Sequence, residues 1–222
     1  LTARAAGTDM SGGPLTESLV VDFMRHMNLI HKVGYGMAIT QPGVYYRDFE
    51  KVLAAQDFLL PSYTASKDIC AVGGMVANNS GGEKTLRYGK TADYVRSLNV
   101  VLSDGNEYIL KPLNSFALKV KLRQADFEGG LYRDMYALVT ENKALLDVAK
   151  PRVNKNSAGY ALWDIWDGVT FDLTRLLSGS QGTLGMITEI EFRTVRPKKH
   201  SRLLVMFLND VKCLGDIVHG VL

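Results

Sequence analysis

The placement of glycine constrains this chain more than any other feature of its sequence. Glycine accounts for 21 of 222 residues, above the roughly 7% usual in globular proteins. These glycines gather with alanine, serine, threonine and asparagine in three stretches. Small residues let a backbone turn sharply and let a second backbone or a ligand lie against it. Each stretch is therefore a candidate binding segment.

The first stretch is Arg4, Ala5, Ala6, Gly7, Thr8, Asp9, Met10, Ser11, Gly12 and Gly13. Successive N–H groups in such a turn point into a concavity suited to an anion such as a pyrophosphate, and Thr8 and Ser11 add hydroxyls. An ordinary surface loop is the competing reading. The second stretch, Pro61 to Gly82, contains Ala65, Ser66, Cys70, Ala71, Gly73, Gly74, Asn78, Asn79, Ser80 and Gly81, with no strong acid–base group after Asp68. That composition suits close approach to a large, flat, polar ligand better than it suits proton transfer; a tight structural turn is the alternative. The third stretch, Ser178 to Thr188, sets Gly179, Gly182 and Gly185 ahead of a strand, where a ligand or chain segment can lie on the backbone.

Composition excludes several classes. Hydrophobic residues make up 46% and charged residues 22%, which supports a packed core and excludes wholesale disorder. With 26 basic and 23 acidic residues, the net charge of +3 is too weak and too evenly spread for a nucleic-acid binder. The longest apolar run, Leu203 to Leu208, is far short of the roughly 20 residues of a membrane helix. Cys70 and Cys213 make no disulfide framework or zinc site, and His26, His31, His200 and His219 lack ligand-like spacing, so no metal site is expected. Gly89, Lys90 and Thr91 mimic the end of a nucleotide-triphosphate loop, but Lys84 stands where that motif needs glycine. No Gly-x-Gly-x-x-Gly fingerprint and no nucleophile elbow occur, which leaves hydrolase chemistry without support.

The periodicity mixes strands and helices along the whole length. Ser18 to Phe23 fits a buried strand, and Met37 to Thr40 reads as another. Apolar residues at 45, 46, 49, 52 and 53 predict a helix over 45–56. Two β-rich runs flank Asp104 and Gly105 between Ser97 and Leu110, which predicts a hairpin. A helix is predicted over 131–148, stopping before Pro151. Strands are predicted over 186–195 and 202–208, and a helix over 210–222. In the strand after Met186, Ile187, Glu189 and Glu191 face one way, against Ile190 and Phe192. The polar segment Arg196 to Arg202 is the expected domain boundary. The chain opens on Leu1 without a secretory pattern, with a glycine-rich loop that no strand precedes, and it runs out inside an amphipathic pattern; it reads as a fragment.

Taken in order, the three clusters resemble the FAD-binding domain of the vanillyl-alcohol oxidase / p-cresol methylhydroxylase (PCMH) superfamily. The resemblance is to its branch of D-lactate and D-2-hydroxyglutarate dehydrogenases, glycolate oxidase flavoprotein subunits and alkyl-dihydroxyacetonephosphate synthases. Arg4 to Gly13 resembles the family's pyrophosphate loop. Pro61 to Gly82 resembles the segment passing along the flavin, Tyr88 with Gly89 and Asn99 to Gly105 resemble the strand and hairpin beyond it, and Gly179 to Thr188 resembles the last FAD-contacting segment.

The resemblance implies an α+β fold: two α/β subdomains of a PCMH-type FAD-binding domain over residues 1–196, with the start of a cap or substrate domain over 197–222. It implies that Arg4 to Gly12 hold the pyrophosphate. It also implies that Pro42, Ala65, Ser66, Cys70, Ala71, Gly73, Gly74, Asn78, Asn79, Ser80 and Gly81 line the cofactor, and that Gln181, Gly182, Gly185 and Ile187 reach its adenine or ribitol side. Family members often carry glutamate where Gln181 stands. Members with covalent FAD usually carry histidine in the first loop, where this chain reads Gly7, Thr8 and Asp9, so non-covalent FAD is expected. The implied activity is oxidation of a 2-hydroxy acid by hydride transfer to FAD, with electrons passed to a quinone, cytochrome or electron-transfer flavoprotein. The alternatives are a synthase-like flavoenzyme and a flavin-binding module without turnover, completed by a partner subunit or a second copy. No catalytic residue is assigned. The expected location is the cytoplasm or the periphery of a membrane.

Overall fold

The computed structural model describes residues 1–153, 155–200 and 202–221; Asn154, Ser201 and Leu222 lie outside the described residues. One residue of the expected boundary segment and the last residue of the expected C-terminal helix therefore fall outside them. Along the chain run β1 (Thr2–Arg4), β2 (Val20–Asp22), β3 (Ile30–Gly34), β4 (Met37–Thr40), α1 (Tyr46–Ala54), α2 (Val72–Ala77) and α3 (Thr85–Tyr88). There follow β5 (Val95–Val101), β6 (Glu107–Leu110), β7 (Leu113–Asn114), α4 (Ser115–Leu122), α5 (Phe127–Glu141) and α6 (Lys143–Ala149). The chain ends with β8 (Thr170–Phe171), α7 (Thr174–Leu177), β9 (Met186–Arg193) and α8 (Leu214–Val221). The fold class is mixed α+β.

A five-stranded antiparallel sheet in the order β3-β4-β9-β5-β6 carries the structure. The expected hairpin joins β5 to β6, with Gly105 at φ +81° in the left-handed conformation its turn requires. The Asp104 carboxylate accepts from the Asn106 amide and the Tyr108 hydroxyl, at 3.1 and 2.6 Å, which fixes that turn. Strand β9 pairs with β4 on one side and β5 on the other, so the third glycine cluster feeds the middle of the sheet. The alternation expected in β9 is interrupted. The register slips between Asn99 and Val100, opposite Glu189 and Ile187, so one extra residue shifts the side-chain parity and Ile187, Ile190 and Phe192 are all buried.

Helix α1 explains how the sheet is covered. Its apolar residues Tyr46, Phe49 and Leu53 fall at helical spacing and are fully buried, and the Phe49 ring lies 6.0 Å from that of Phe192. A second group packs Tyr132 of α5 against Phe171, 5.9 Å between rings, with Tyr136 and Trp166 beside them. Asn114 and Asp126 cap α4 and α5 by accepting the amides of Ala117 and Gly129.

Four expectations are corrected. The single helix over 131–148 is two helices that begin earlier, at Phe127, and break at Asn142. There the side-chain amide donates to the Leu138 carbonyl, a local bond that competes with continuing the helix. A strand, β1, does precede the first glycine loop and pairs in parallel with β2. The expected buried strand over 18–23 is only β2, with Val20 well exposed, because it pairs with one strand and has no sheet over it. The strand expected over 202–208 joins no sheet, and its residues are exposed. A β-prone run without a ladder partner has nothing to satisfy its backbone groups.

Phe192 anchors β9 between sheet and helix, so Phe192→Ala is expected to cost about 3–5 kcal/mol of unfolding free energy. Phe116→Ala, at an exposed position, should stay within about 0.5 kcal/mol. Urea unfolding followed by far-UV circular dichroism checks both.

Candidate functional site

The site is organised by the short helix α2, which the second glycine cluster builds. On its N-terminal side the Val72 and Gly73 amides donate to the Val44 and Pro42 carbonyls, each at 2.9 Å, and the Tyr46 amide donates to the Cys70 carbonyl at 3.0 Å. On its far side the Gly179 and Gln181 amides donate to the Val76 and Ala77 carbonyls, at 3.0 and 2.9 Å. Helix α2 thus joins the turn after β4 to the third glycine cluster.

Its two glycines serve different ends. A Cβ on Gly73 would lie 2.4 Å from Pro42 Cβ and 2.8 Å from the Pro42 carbonyl oxygen, so only glycine permits the crossing. A Cβ on Gly74 would meet only Ala5 Cβ, at an ordinary 3.6 Å, with the rest of its surroundings open. Gly185 is of the first kind, since its Cβ would lie 2.6 Å from Val100 Cγ1.

The open side of α2 faces a cavity of about 860 Å³, within the range of roughly 300–1,000 Å³ typical of cofactor sites. The first loop forms one wall, the 64–71 segment and α2 another, and Ser180 to Ile187 a third. Of the residues expected at the cofactor, the structure brings Arg4 through Ser11, Pro42, Ala65, Ser66, Cys70, Ala71, Gly73, Gly74, Asn78, Ser80, Gly81, Gln181, Gly182, Gly185 and Ile187 to this one cavity. Gly12 and Asn79 are not on its wall. Gly12 turns the loop at φ +77°. Asn79 lies buried behind it at φ +44°, where its side-chain oxygen accepts the Ala92 amide and its carbonyl accepts the Ser157 hydroxyl. It therefore sets the direction of Asn78 and Ser80 from behind.

Sequence reasoning missed Ala3, Gly13, Phe23, Thr64, Met75 and Ser180, which also line the cavity. Gly13, Thr64, Met75 and Ser180 lie inside the three clusters, so the clusters were the signal. Phe23 reaches the wall because its amide donates to the Arg4 carbonyl, a bond that follows from the β1–β2 pairing.

The wall's electrostatics are simple. Among the described residues, its charged side chains are Arg4 and Asp9, both on the first loop. Arg4 makes no ion pair with a described residue and packs beside Gly7, whose φ is +67°. The backbone N–H groups from Ala6 to Met10 donate to no other described group, which leaves five successive donors beside the cavity. Asp9 loses some solvation by partial burial, yet hydrogen bonds from Ser11 and Gly13 outweigh this and hold its carboxyl below the usual carboxylate range. Away from this loop the wall is neutral. Burial pushes the Cys70 thiol up, against a weaker opposing effect of the Thr64 and Ser66 hydroxyls, so it stays a thiol at neutral pH. The Gln181 amide donates to Asn78 Oδ1 at 2.9 Å, and Asn78 in turn donates to Ser80 Oγ at 3.0 Å. These three side chains tie the second cluster to the third.

A second cavity, of about 480 Å³, is lined by Asp93, Trp163, Asp172 and Arg175 among others. Both of its cations are already paired, Arg175 with Asp93 at 2.8 Å and Lys150 with Asp164 at 2.7 Å, and the Asp167 carboxylate accepts the Val169 and Thr170 amides.

A mixed α+β domain whose cavity sets a run of unpaired amides, one cation and one carboxylate on a single loop, with neutral side chains elsewhere on the wall, is suited to a large ligand with an anionic part. Residues 1–110 match the model of the FAD binding domain family; the chain carries an FAD-binding domain of the PCMH type, and its cofactor is FAD. The cavity fits this cofactor: the amides of 6–10 and Arg4 suit a diphosphate, and the open face of Gly74 beside neutral side chains suits flat rings.

The chain is similar to D-2-hydroxyglutarate dehydrogenase of Escherichia coli, at 30% identity over 207 residues, which is 91% of this chain and 20% of the relative. It is also similar to glycolate oxidase subunit GlcD of Bacillus subtilis, at 30% identity over 225 aligned residues, 98% of this chain and 37% of that protein. The chain thus spans a fifth to two fifths of these relatives. The solved structure of an alkyldihydroxyacetonephosphate synthase superposes with a TM-score of 0.56 at 20% identity, covering 89% of this chain and 28% of that one. At that identity it shows the fold alone.

The two glycines of α2 are expected to separate folding from binding. Gly74→Val should keep the melting temperature within a few degrees and abolish retention of flavin. Gly73→Ala should lower stability by about 1–3 kcal/mol through overpacking against Pro42. Thermal denaturation and the visible spectrum of each purified variant check this.

Proposed function

We propose that the chain is the flavin-binding part of an FAD-dependent dehydrogenase that oxidises a 2-hydroxy acid of the D-lactate, glycolate or 2-hydroxyglutarate type. The observation that carries this reading is the distribution of chemistry along the cavity. Charge and an unbroken run of five unpaired amides are confined to the first loop, while the rest of the wall presents neutral side chains and no acid–base group. Such a wall binds and orients a cofactor and keeps water from it, and leaves proton transfer from the substrate to residues elsewhere in the whole protein. When bound, FAD supplies the acceptor for the substrate's hydride. The names of the relatives, two hydroxy-acid enzymes among them, support the substrate class.

The 24 residues expected at the cofactor are proposed as its contacts, with Gly12 and Asn79 acting through their neighbours. Binding is proposed to be non-covalent, because no histidine lines the cavity among the described residues and Cys70 is held as a thiol. Residues 1–196 are proposed as the two-subdomain FAD-binding unit and 197–222 as the start of a second domain. The last residues to pair with the body of the fold are Arg193 to Val195, and the described residues from Arg196 to Val221 are exposed apart from the half-buried Ile217. A quinone, cytochrome or electron-transfer flavoprotein is the proposed electron acceptor, and the cytoplasm or a membrane surface the proposed location. Among the described residues no helix is long and apolar enough to cross a membrane.

The absorption spectrum of the purified protein, before and after acid precipitation, is the first test. A flavin spectrum released into the supernatant is expected; colour retained in the pellet would refute non-covalent binding. Anaerobic addition of D-2-hydroxyglutarate, D-lactate or glycolate to the flavin-loaded protein is expected to bleach the flavin band with one of the three. If none bleaches it even in the full-length protein, the substrate class is wrong.

A further inference from the structure

Asp9 is out of keeping with the loop that carries it. A loop that receives a diphosphate gains from amides and cations, yet this one puts a carboxylate on the cavity wall. That carboxylate accepts from the Ser11 amide at 3.2 Å, the Ser11 hydroxyl at 2.8 Å and the Gly13 amide at 3.1 Å. The packing is close: a Cβ on Gly13 would lie 3.0 Å from Asp9 Oδ2. The loop's donors therefore fall into two sets. Ser11 and Gly13 are turned inward onto Asp9, whereas the amides of Ala6 to Met10 have no acceptor among the described residues. The formal charges of Arg4 and Asp9 sum to zero, although the two side chains form no ion pair with each other.

Resting on the assignment of FAD to this cavity, we infer that Asp9 is a built-in competitor for the cofactor's diphosphate. It occupies the Ser11 and Gly13 donors with its own carboxylate and cancels the charge of Arg4. The diphosphate is then held by the amides of residues 6–10 with no net ionic attraction from the loop. In exchange, a charged acceptor with three donors pins the 9–13 turn more firmly than a neutral side chain can. The loop is shaped before the cofactor arrives, and FAD is bound less tightly, and with less dependence on salt, than glycines and an arginine alone would bind it.

The test is titration of flavin-stripped protein with FAD and with riboflavin, which has no phosphate, followed by quenching of flavin fluorescence at about 0.02 M and about 0.5 M salt. Asp9→Asn leaves the loop with one net positive charge. It is expected to tighten FAD about tenfold at low salt, and screening should remove the gain at high salt. Arg4→Gln leaves one net negative charge. It is expected to weaken FAD about tenfold, and for this variant added salt should strengthen binding. Riboflavin affinity should move by less than about twofold in either variant, since the charges act on the diphosphate.

FAD binding that is unchanged or weaker in Asp9→Asn, with riboflavin binding intact, would overturn the inference and leave the FAD assignment standing. If Asp9→Asn fails to fold, the wild-type salt profile decides: a flat profile supports the cancelled charge, and steep weakening by salt overturns it. Failure of the wild-type chain to bind either flavin would overturn the FAD assignment, and the role of Asp9 with it.

Discussion

The crossing of α2 over the turn after β4 is the constraint on which the site depends. Gly73 has no Cβ, and Pro42 Cβ and its carbonyl oxygen fill the space where one would stand. That contact brings the Gly73 amide to the Pro42 carbonyl and the Val72 amide to Val44, so the helix is held against the turn after β4 from its first turn. From its other end α2 holds Gly179 and Gln181. The second and third clusters share a cavity because one short helix is bonded to both, and the first loop completes the wall through the bond from Phe23 to Arg4. None of these ties is a long-range ionic contact. They are backbone bonds that small residues make accessible, which is why the glycines matter more than the charges.

The resulting cleft is electrostatically lopsided. Charge sits on the first loop, together with its run of five unpaired amides, and the remaining wall is neutral. In a partly desolvated cleft, oriented amides stabilise an anion without the desolvation cost that a buried cation would carry. The neutral part, with Cys70 kept as a thiol and Gln181 bonded to Asn78, adds hydrogen bonds without adding chemistry of its own. This division is consistent with a domain that presents a cofactor to residues supplied from elsewhere.

Much of the sheet was legible in advance. The Asp104–Gly105 turn demands positive φ and announces the β5–β6 hairpin, and the apolar spacing at 46, 49 and 53 announces α1. The errors have physical causes. A three-residue strand such as β1 is too short for any alternation to show, and it exists only because β2 lies beside it. Asn142 breaks a run of otherwise continuous helical periodicity through a side-chain bond whose partner is one turn back. The bulge in β9 changes which residues are buried by one position, and only the pairing with β5 creates it. Leu203 to Leu208 has the composition of a strand and lacks a neighbour.

For the site, the clusters pointed to nearly all the residues that meet at the cavity, because close approach requires small residues wherever it occurs in the chain. Composition alone could not sort them. Gly73 and Gly74 are adjacent and chemically identical, yet one fills a packing contact and the other faces open space. Asn79 sits between two wall residues and points away from both. Asp9 reads in sequence as one more member of a polar loop, and its three hydrogen bonds make it an internal acceptor. The sequence by itself determined where the backbone can come close and where it can turn, since those are local properties of residue type. Which approach meets protein and which meets ligand was decided by tertiary structure, because that depends on what the fold places opposite each residue.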